Sequence, residues 1–275
     1  MGSQLRNRSG RAIFLSYHSV APRGPRFLTV TAELFERQLD ELRRRRLRGG
    51  GLAELALAAA GELTEPTVFI TFDDGFRDNH ETALPLLREY GFGGFCFVLP
   101  PLLDDGAPLA WPEVAADQRR FGETMRSLTW PLVEEMREGG FEIGSHTLTH
   151  PHLTELEPER LRQELADSRA RIAERLGSCD VLAYPFGEWN AEVAAAAGEC
   201  GYSFAFSLPS SHGQRGADRL SIPRVNVDSR DDRRRFAVKL TPLGRAALLS
   251  PAAAMLRRPL RAARGFPTPG SGTGQ

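Results

Sequence analysis

Lysine is nearly absent from this chain: of 35 basic side chains all are arginine except Lys239. That bias reads as the coding signature of a GC-rich genome. Cysteine is scarce as well. Cys96, Cys179 and Cys200 are odd in number, widely spaced and never in a CxxC pair, which excludes a disulfide framework and a thiolate zinc site. Buried free thiols are expected instead. No apolar run approaches the roughly 20 residues that cross a bilayer. The polar stretch Met1–Arg11 has no apolar core of a secretory leader, so the cytoplasm is the expected location. Net charge is also lacking, at 35 basic against 35 acidic side chains, so no global field draws the molecule toward nucleic acid. What remains is an ordinary globular composition, 41% hydrophobic over 275 residues, enough for a full core.

Short β-rich apolar runs recur along that length. They predict strands at Ile13–Tyr17, Val68–Phe72, Phe95–Leu99, Phe141–Gly144, Val181–Tyr184, Ser203–Ser207 and Arg224–Val227. Most are apolar on both faces, as in a covered parallel sheet. Helical patterns lie between them. Thr31 caps a segment to about Arg48, Thr129 precedes another that stops at Gly139-Gly140, Pro158 opens a long helix ending near Gly177, and Asn190 caps an Ala-rich one. The alternation predicts an α/β fold: a single domain built as a distorted (β/α) barrel of about seven parallel strands. The expected organisation is a flexible 1–11, a domain over 12–232 with a loop insertion at 100–127, and a basic extension over 233–275 whose last ten residues are disordered.

Polar residues gather where the strands end. His18 follows the first, Asp73-Asp74-Gly75 the second, Ser145-His146 the fourth with His150 four residues on, and Pro185-Phe186-Gly187 the fifth. In α/β barrels those ends open on one face, where reacting groups converge. Two adjacent carboxylates after a buried strand need a positive neighbour, although Asp and Gly also suit a plain turn. The i, i+4 spacing of His146 and His150 puts both imidazoles on one side of a helical turn, as in zinc sites. Two histidines and one carboxylate make a three-ligand set with positions left open, the catalytic pattern. The second Asp is then available as a base.

With these residues in view, the sequence resembles the polysaccharide deacetylases (the NodB-homology domain, carbohydrate esterase family 4). Thr71-Phe72-Asp73-Asp74-Gly75 matches the first motif of that family and His146-Thr147-Leu148-Thr149-His150 the second, while Ala183-Tyr184-Pro185-Phe186-Gly187 resembles the third. The likeness runs from about residue 12 to 228. It implies a distorted barrel and a metal-dependent hydrolase that removes acetyl groups, N-acetyl first, from an acetylated carbohydrate. It also implies Asp73 as base, Asp74, His146 and His150 as ligands of a divalent metal with Zn2+ favoured, and an oxyanion and substrate region at Tyr184 and Phe186.

Two departures stand out. The family's Arg ahead of Pro is replaced by Leu182 or Ala183, which leaves Arg224 as a candidate to orient Asp73. The late Leu-His motif that supplies the acid is not recognisable. Leu15-Ser16-Tyr17-His18 instead resembles a subgroup, including biofilm poly-N-acetylglucosamine deacetylases, whose acid His comes from the first strand. That makes His18 the candidate acid, ahead of His212. Rival readings are a metal-dependent amidohydrolase or esterase on a non-sugar, and a carbohydrate-binding relative without activity. From Arg233 onward nine basic residues and no acidic one suggest peripheral contact with a membrane surface.

Overall fold

The computed structural model describes residues 11–209 and 218–250. Residues 1–10, His212 and the tail beyond 250 lie outside them, and with these the expectations of a flexible start and a disordered end. Eight strands run parallel: β1 (Ala12–Tyr17), β2 (Thr67–Phe72), β3 (Gly94–Val98), β4 (Phe141–Ser145), β5 (Val181–Ala183), β6 (Phe204–Ser207), β7 (Ile222–Pro223) and β8 (Val225–Asn226). Their order is β7-β6-β5-β4-β3-β2-β1-β8, and Arg48–Gly49 adds a short pairing beside β2.

The seven expected strands are present, the last, expected over Arg224–Val227, as Val225–Asn226, and a further short strand at Ile222–Pro223 precedes it. Pro223 pairs with Ser207 of β6, while Val225 and Asn226 pair with Leu15 and Ser16 of β1. One extended segment thus joins the two edges of the sheet, which makes a nearly closed barrel. Arg224 occupies the seam, its N–H donating to Ser207 O.

Side chains alternate with the pleat. Ala12, Phe69, Phe95, Phe97, Val181, Ala183, Phe206 and Ile222 form an inner cluster, with Phe14 stacked on Phe69 at 4.7 Å. The alternate positions, such as Leu15, Tyr17, Ile70, Phe72, Cys96 and Leu182, join a larger cluster that takes in the apolar faces of the helices.

Nine α-helices occur among the described residues: α1 (Ala32–Arg44), α2 (Leu52–Ala60), α3 (Leu84–Tyr90), α4 (Ala115–Phe121), α5 (Trp130–Glu138), α6 (Pro158–Leu176), α7 (Ala191–Glu199), α8 (Arg233–Lys239) and α9 (Pro242–Leu248). Thr31 and Asn190 cap as expected, accepting from the N–H of Leu34 and Val193. The stretch 100–127 is more than a loop. It contains α4 and two short 3-10 turns, and Leu109, Val114 and Met125 are buried with Phe76 and Leu28. Its short apolar segments lack the two full helical turns that a period needs to show. Beyond residue 232, α8 packs on α1 and buries Phe236.

Candidate active site

Parallel pairing brings all strand ends to one mouth. Tyr17 lies opposite Phe72 in the β1–β2 register, so the next residues, His18 and Asp73, leave the sheet side by side. Both continue inward-facing rows: Phe14, Ser16, His18 on one strand and Phe69, Thr71, Asp73 on the other. Asp73 is the more constrained of the two. Arg224 Nη1 donates to its Oδ1 at 2.6 Å and Nη2 to its Oδ2 at 2.8 Å, while Ser16 Oγ donates to Oδ2 at 3.3 Å. The guanidinium is fully buried, bonds Thr71 Oγ1 at 2.8 Å, and lies over the rings of Phe97 and Phe206. Burial opposes ionisation of Asp73, but the positive charge beside it, Arg224 foremost, outweighs it and holds the carboxyl below its ordinary range.

Asp74 faces the other way. Its Oδ1 is 3.2 Å from His146 Nε2 and 3.4 Å from His150 Nε2, all three residues buried. The donor set fits a cation on chemical grounds. His146 Nδ1 lies 2.8 Å from Ala183 O, so it carries the ring proton and Nε2 presents a lone pair to a carboxylate oxygen. Asp74 Oδ1 is itself buried without a hydrogen-bond partner among the described residues. Lone pairs aimed at one another in a dry site are satisfied by a divalent metal between them.

The two histidines do not ride on a helical turn, contrary to the spacing argument. Residues 146–150 form a loop in which Thr147 and His150 have φ of +71° and +59°. Asp74 at +71° and Phe186 at +59° are strained in the same way, so four of the five described non-glycine residues with positive φ lie at this site. Left-handed backbone costs roughly 1–2 kcal/mol per residue and must be held. Ser145 Oγ accepts from Thr147 N–H, and Thr147 Oγ1 from His150 N–H. The fully buried Glu164 of α6 accepts from the N–H groups of Leu148 and Thr149 and from Thr149 Oγ1. Gly75, at φ +64°, completes the turn behind Asp74.

Phe186 lies at the mouth. Its ring meets His150 edge-on at 4.6 Å and stacks on His152 at 4.0 Å. Tyr184 does not lie there. Its side chain is buried in the core and its hydroxyl donates to Leu220 O, which corrects the expectation that it meets substrate: it shares the outer row with Leu182, whereas Phe186 is redirected by the turn at Pro185–Gly187. His18 is present, its Nε2 4.0 Å from Asp73 Oδ2. Sequence reading missed Trp111, from the 100–127 stretch, whose ring stacks on His150 at 4.1 Å. His152, expected to be exposed near a helix start, is instead partly buried with its Nδ1 2.8 Å from Glu188 Oε2.

Comparison with known proteins agrees with this geometry. The polysaccharide deacetylase family pattern matches residues 60–205, more than half of the chain. This chain belongs to the polysaccharide deacetylase family. It is 30% identical over 159 residues to the chitooligosaccharide deacetylase of Rhizobium leguminosarum bv. phaseoli, covering 56% of this chain and 60% of that one. It is 24% identical over 268 residues to the poly-beta-1,6-N-acetyl-D-glucosamine N-deacetylase of Escherichia coli (strain K12), covering 83% of this chain and 38% of that one. The chain thus spans less than two thirds of the length of these curated relatives. Among solved structures, the Streptococcus pyogenes deacetylase PplD in complex with acetate shares the fold, with a TM-score of 0.69, 22% identity, and 84% of this chain and 98% of that one covered.

Proposed function

We propose that this chain hydrolyses the acetamide of an N-acetylated sugar. The observation that carries the reading is the division of labour between adjacent carboxylates, with Asp74 turned to the two histidines and Asp73 turned to Arg224. Asp74, His146 and His150 would hold the divalent metal, Zn2+ by the N,N,O donor set. When bound, that ion supplies Lewis-acid polarisation of the acetyl carbonyl and a more acidic water. Asp73, kept ionised by its partners, takes the proton of the attacking water. The main-chain N–H of Phe186, on a strained turn beside His150, serves as an oxyanion donor. His18, at the same mouth, gives a proton to the leaving nitrogen as the C–N bond breaks. The relatives named for chitooligosaccharide and poly-N-acetylglucosamine support a glucosamine-type substrate. Acetate release from a panel of N-acetylglucosamine oligomers of both linkages tests the reading. Turnover of at least one is expected, and release from none, with the metal-loaded protein, overturns it.

We also infer that the C-terminal helices meet an anionic lipid surface. Val238 and Leu243 are 56% and 83% exposed, with Arg234 and Arg235 exposed nearby. Residues 251–275 add four arginines and no acid. Val238→Asp with Leu243→Asp should reduce co-sedimentation with phosphatidylglycerol vesicles; unchanged binding, or none by the parent, removes the idea.

No helix among the described residues is long and apolar enough to cross a membrane.

A further inference from the structure

The imidazole of His18 is not anchored by its own atoms. Nδ1 is buried without a hydrogen-bond partner among the described residues, and Nε2 faces Asp73 Oδ2 at 4.0 Å, beyond hydrogen-bond reach. Its direction is therefore set by the main chain that carries it. That segment is gripped at three consecutive residues, twice through the main chain and once through the Ser19 side chain. His18 O accepts from Asn79 Nδ2 at 2.7 Å, Ser19 Oγ donates to Asp78 Oδ2 at 2.7 Å, and Val20 N–H donates to Asp78 Oδ1 at 2.8 Å. Asn79 Nδ2 also reaches Asp78 Oδ1 at 3.2 Å, so the two clamp residues brace each other. Both are buried, and Asn79 opens a π-helical turn, Asn79–Ala83, ahead of α3.

The placement gives the clamp its meaning. Asp78 and Asn79 follow Asp73 and Asp74 on the segment that leaves β2, while His18 leaves β1. The segment that bears the base and a metal ligand thus also holds the turn that bears the acid. A buried carboxyl accepting from a neighbouring strand's turn is a costly way to build a generic loop. It is a direct way to fix one catalytic group against two others, and a displacement of about 1 Å can cost on the order of 100-fold in rate.

We propose that Asp78 and Asn79 are positioning residues that aim His18 at the leaving nitrogen. The proposal rests on His18 being the general acid, and leaving-group dependence separates the two claims. An acetamide must have its nitrogen protonated as it leaves, whereas 4-nitrophenyl acetate expels a phenolate that needs no proton. Asn79→Ser and Asp78→Asn should lower kcat on the N-acetylated sugar by about 10- to 100-fold. They should lower kcat on the nitrophenyl ester by less than about 3-fold, with KM for the sugar and bound metal at parental levels. The ratio of the two activities is insensitive to any unfolded fraction, since unfolded protein loses both alike. Added to His18→Ala, either substitution should cause little further loss. Equal falls on both substrates, or losses that multiply with that of His18→Ala, would overturn the clamp. If His18→Ala itself slows both substrates equally, the acid assignment fails, and the clamp with it.

Discussion

Asp73 and Arg224 are 151 positions apart in the chain and meet through two parallel hydrogen bonds at the seam where the barrel closes. No arginine stands at Leu182 or Ala183 ahead of Pro185, and Arg224 reaches Asp73 from another strand. The seam is a suitable place for it. Residues 222–226 must pair with β6 and then with β1, and the residue between is held by both edges while its side chain points inward over Phe97 and Phe206. A guanidinium there is rigid before any substrate arrives.

Removing that partner leaves a buried, unpaired carboxylate. Arg224→Met should lower folding stability by about 3–5 kcal/mol, measured by denaturant titration. Arg224→Lys should restore little, because an ammonium cannot span both carboxylate oxygens. Arg224→Met combined with Asp73→Asn should be more stable than Arg224→Met alone. A neutral single variant would show that the pair contributes nothing.

Glu164 should prove to be a metal-affinity residue although it touches no ligand atom. It holds the Leu148 and Thr149 amides between the two histidines, and such supports typically govern about 10- to 100-fold in affinity. Glu164→Gln keeps the volume but exchanges one acceptor oxygen for a donor. Zinc titration against a competing chelator should show weaker binding, and parental affinity would count against the role.

How much of this was legible beforehand follows from the range of each signal. The first two motifs are short, and each sits at the end of an apolar strand, so the strands, the mouth and the residues Asp73, Asp74, His146 and His150 could be read locally. The helical setting of the histidines could not. Their spacing suits a helix, but Glu164, fourteen residues beyond His150, stabilises a strained loop instead. Trp111 was hidden because α4 and its neighbours are too short to show a period. Arg224 was a candidate by elimination alone, and only the sheet order puts it beside Asp73. Tyr184 was misplaced because a motif names a residue without saying which side of the pleat it takes.

Asp78 carries a pH signature of its own. Burial is the main cause that lifts its carboxyl to about 7, against the Val20 amide and Ser19 hydroxyl that favour the charged form. The unfolded value is about 3.9. A carboxyl raised in the folded state means that the fold binds the extra proton between those values. Its stabilising contribution is therefore full below about pH 4 and is lost as pH rises toward 7. Asp78→Asn should flatten the fall in stability over that window, seen in thermal midpoints at pH 4 to 8. A parallel curve for parent and variant would show that Asp78 titrates normally.

The account turns on two adjacent carboxylates having different jobs, and paired measurement of metal content and acetate release tests that directly. After zinc loading and desalting, Asp73→Asn should retain about one metal per chain, as the parent does, while its acetate release from N-acetylglucosamine oligomers falls by at least about 100-fold. Asp74→Asn should lose both metal and activity. Metal lost from Asp73→Asn and retained by Asp74→Asn would reverse the assignment, and parental turnover in Asp73→Asn would contradict the mechanism outright.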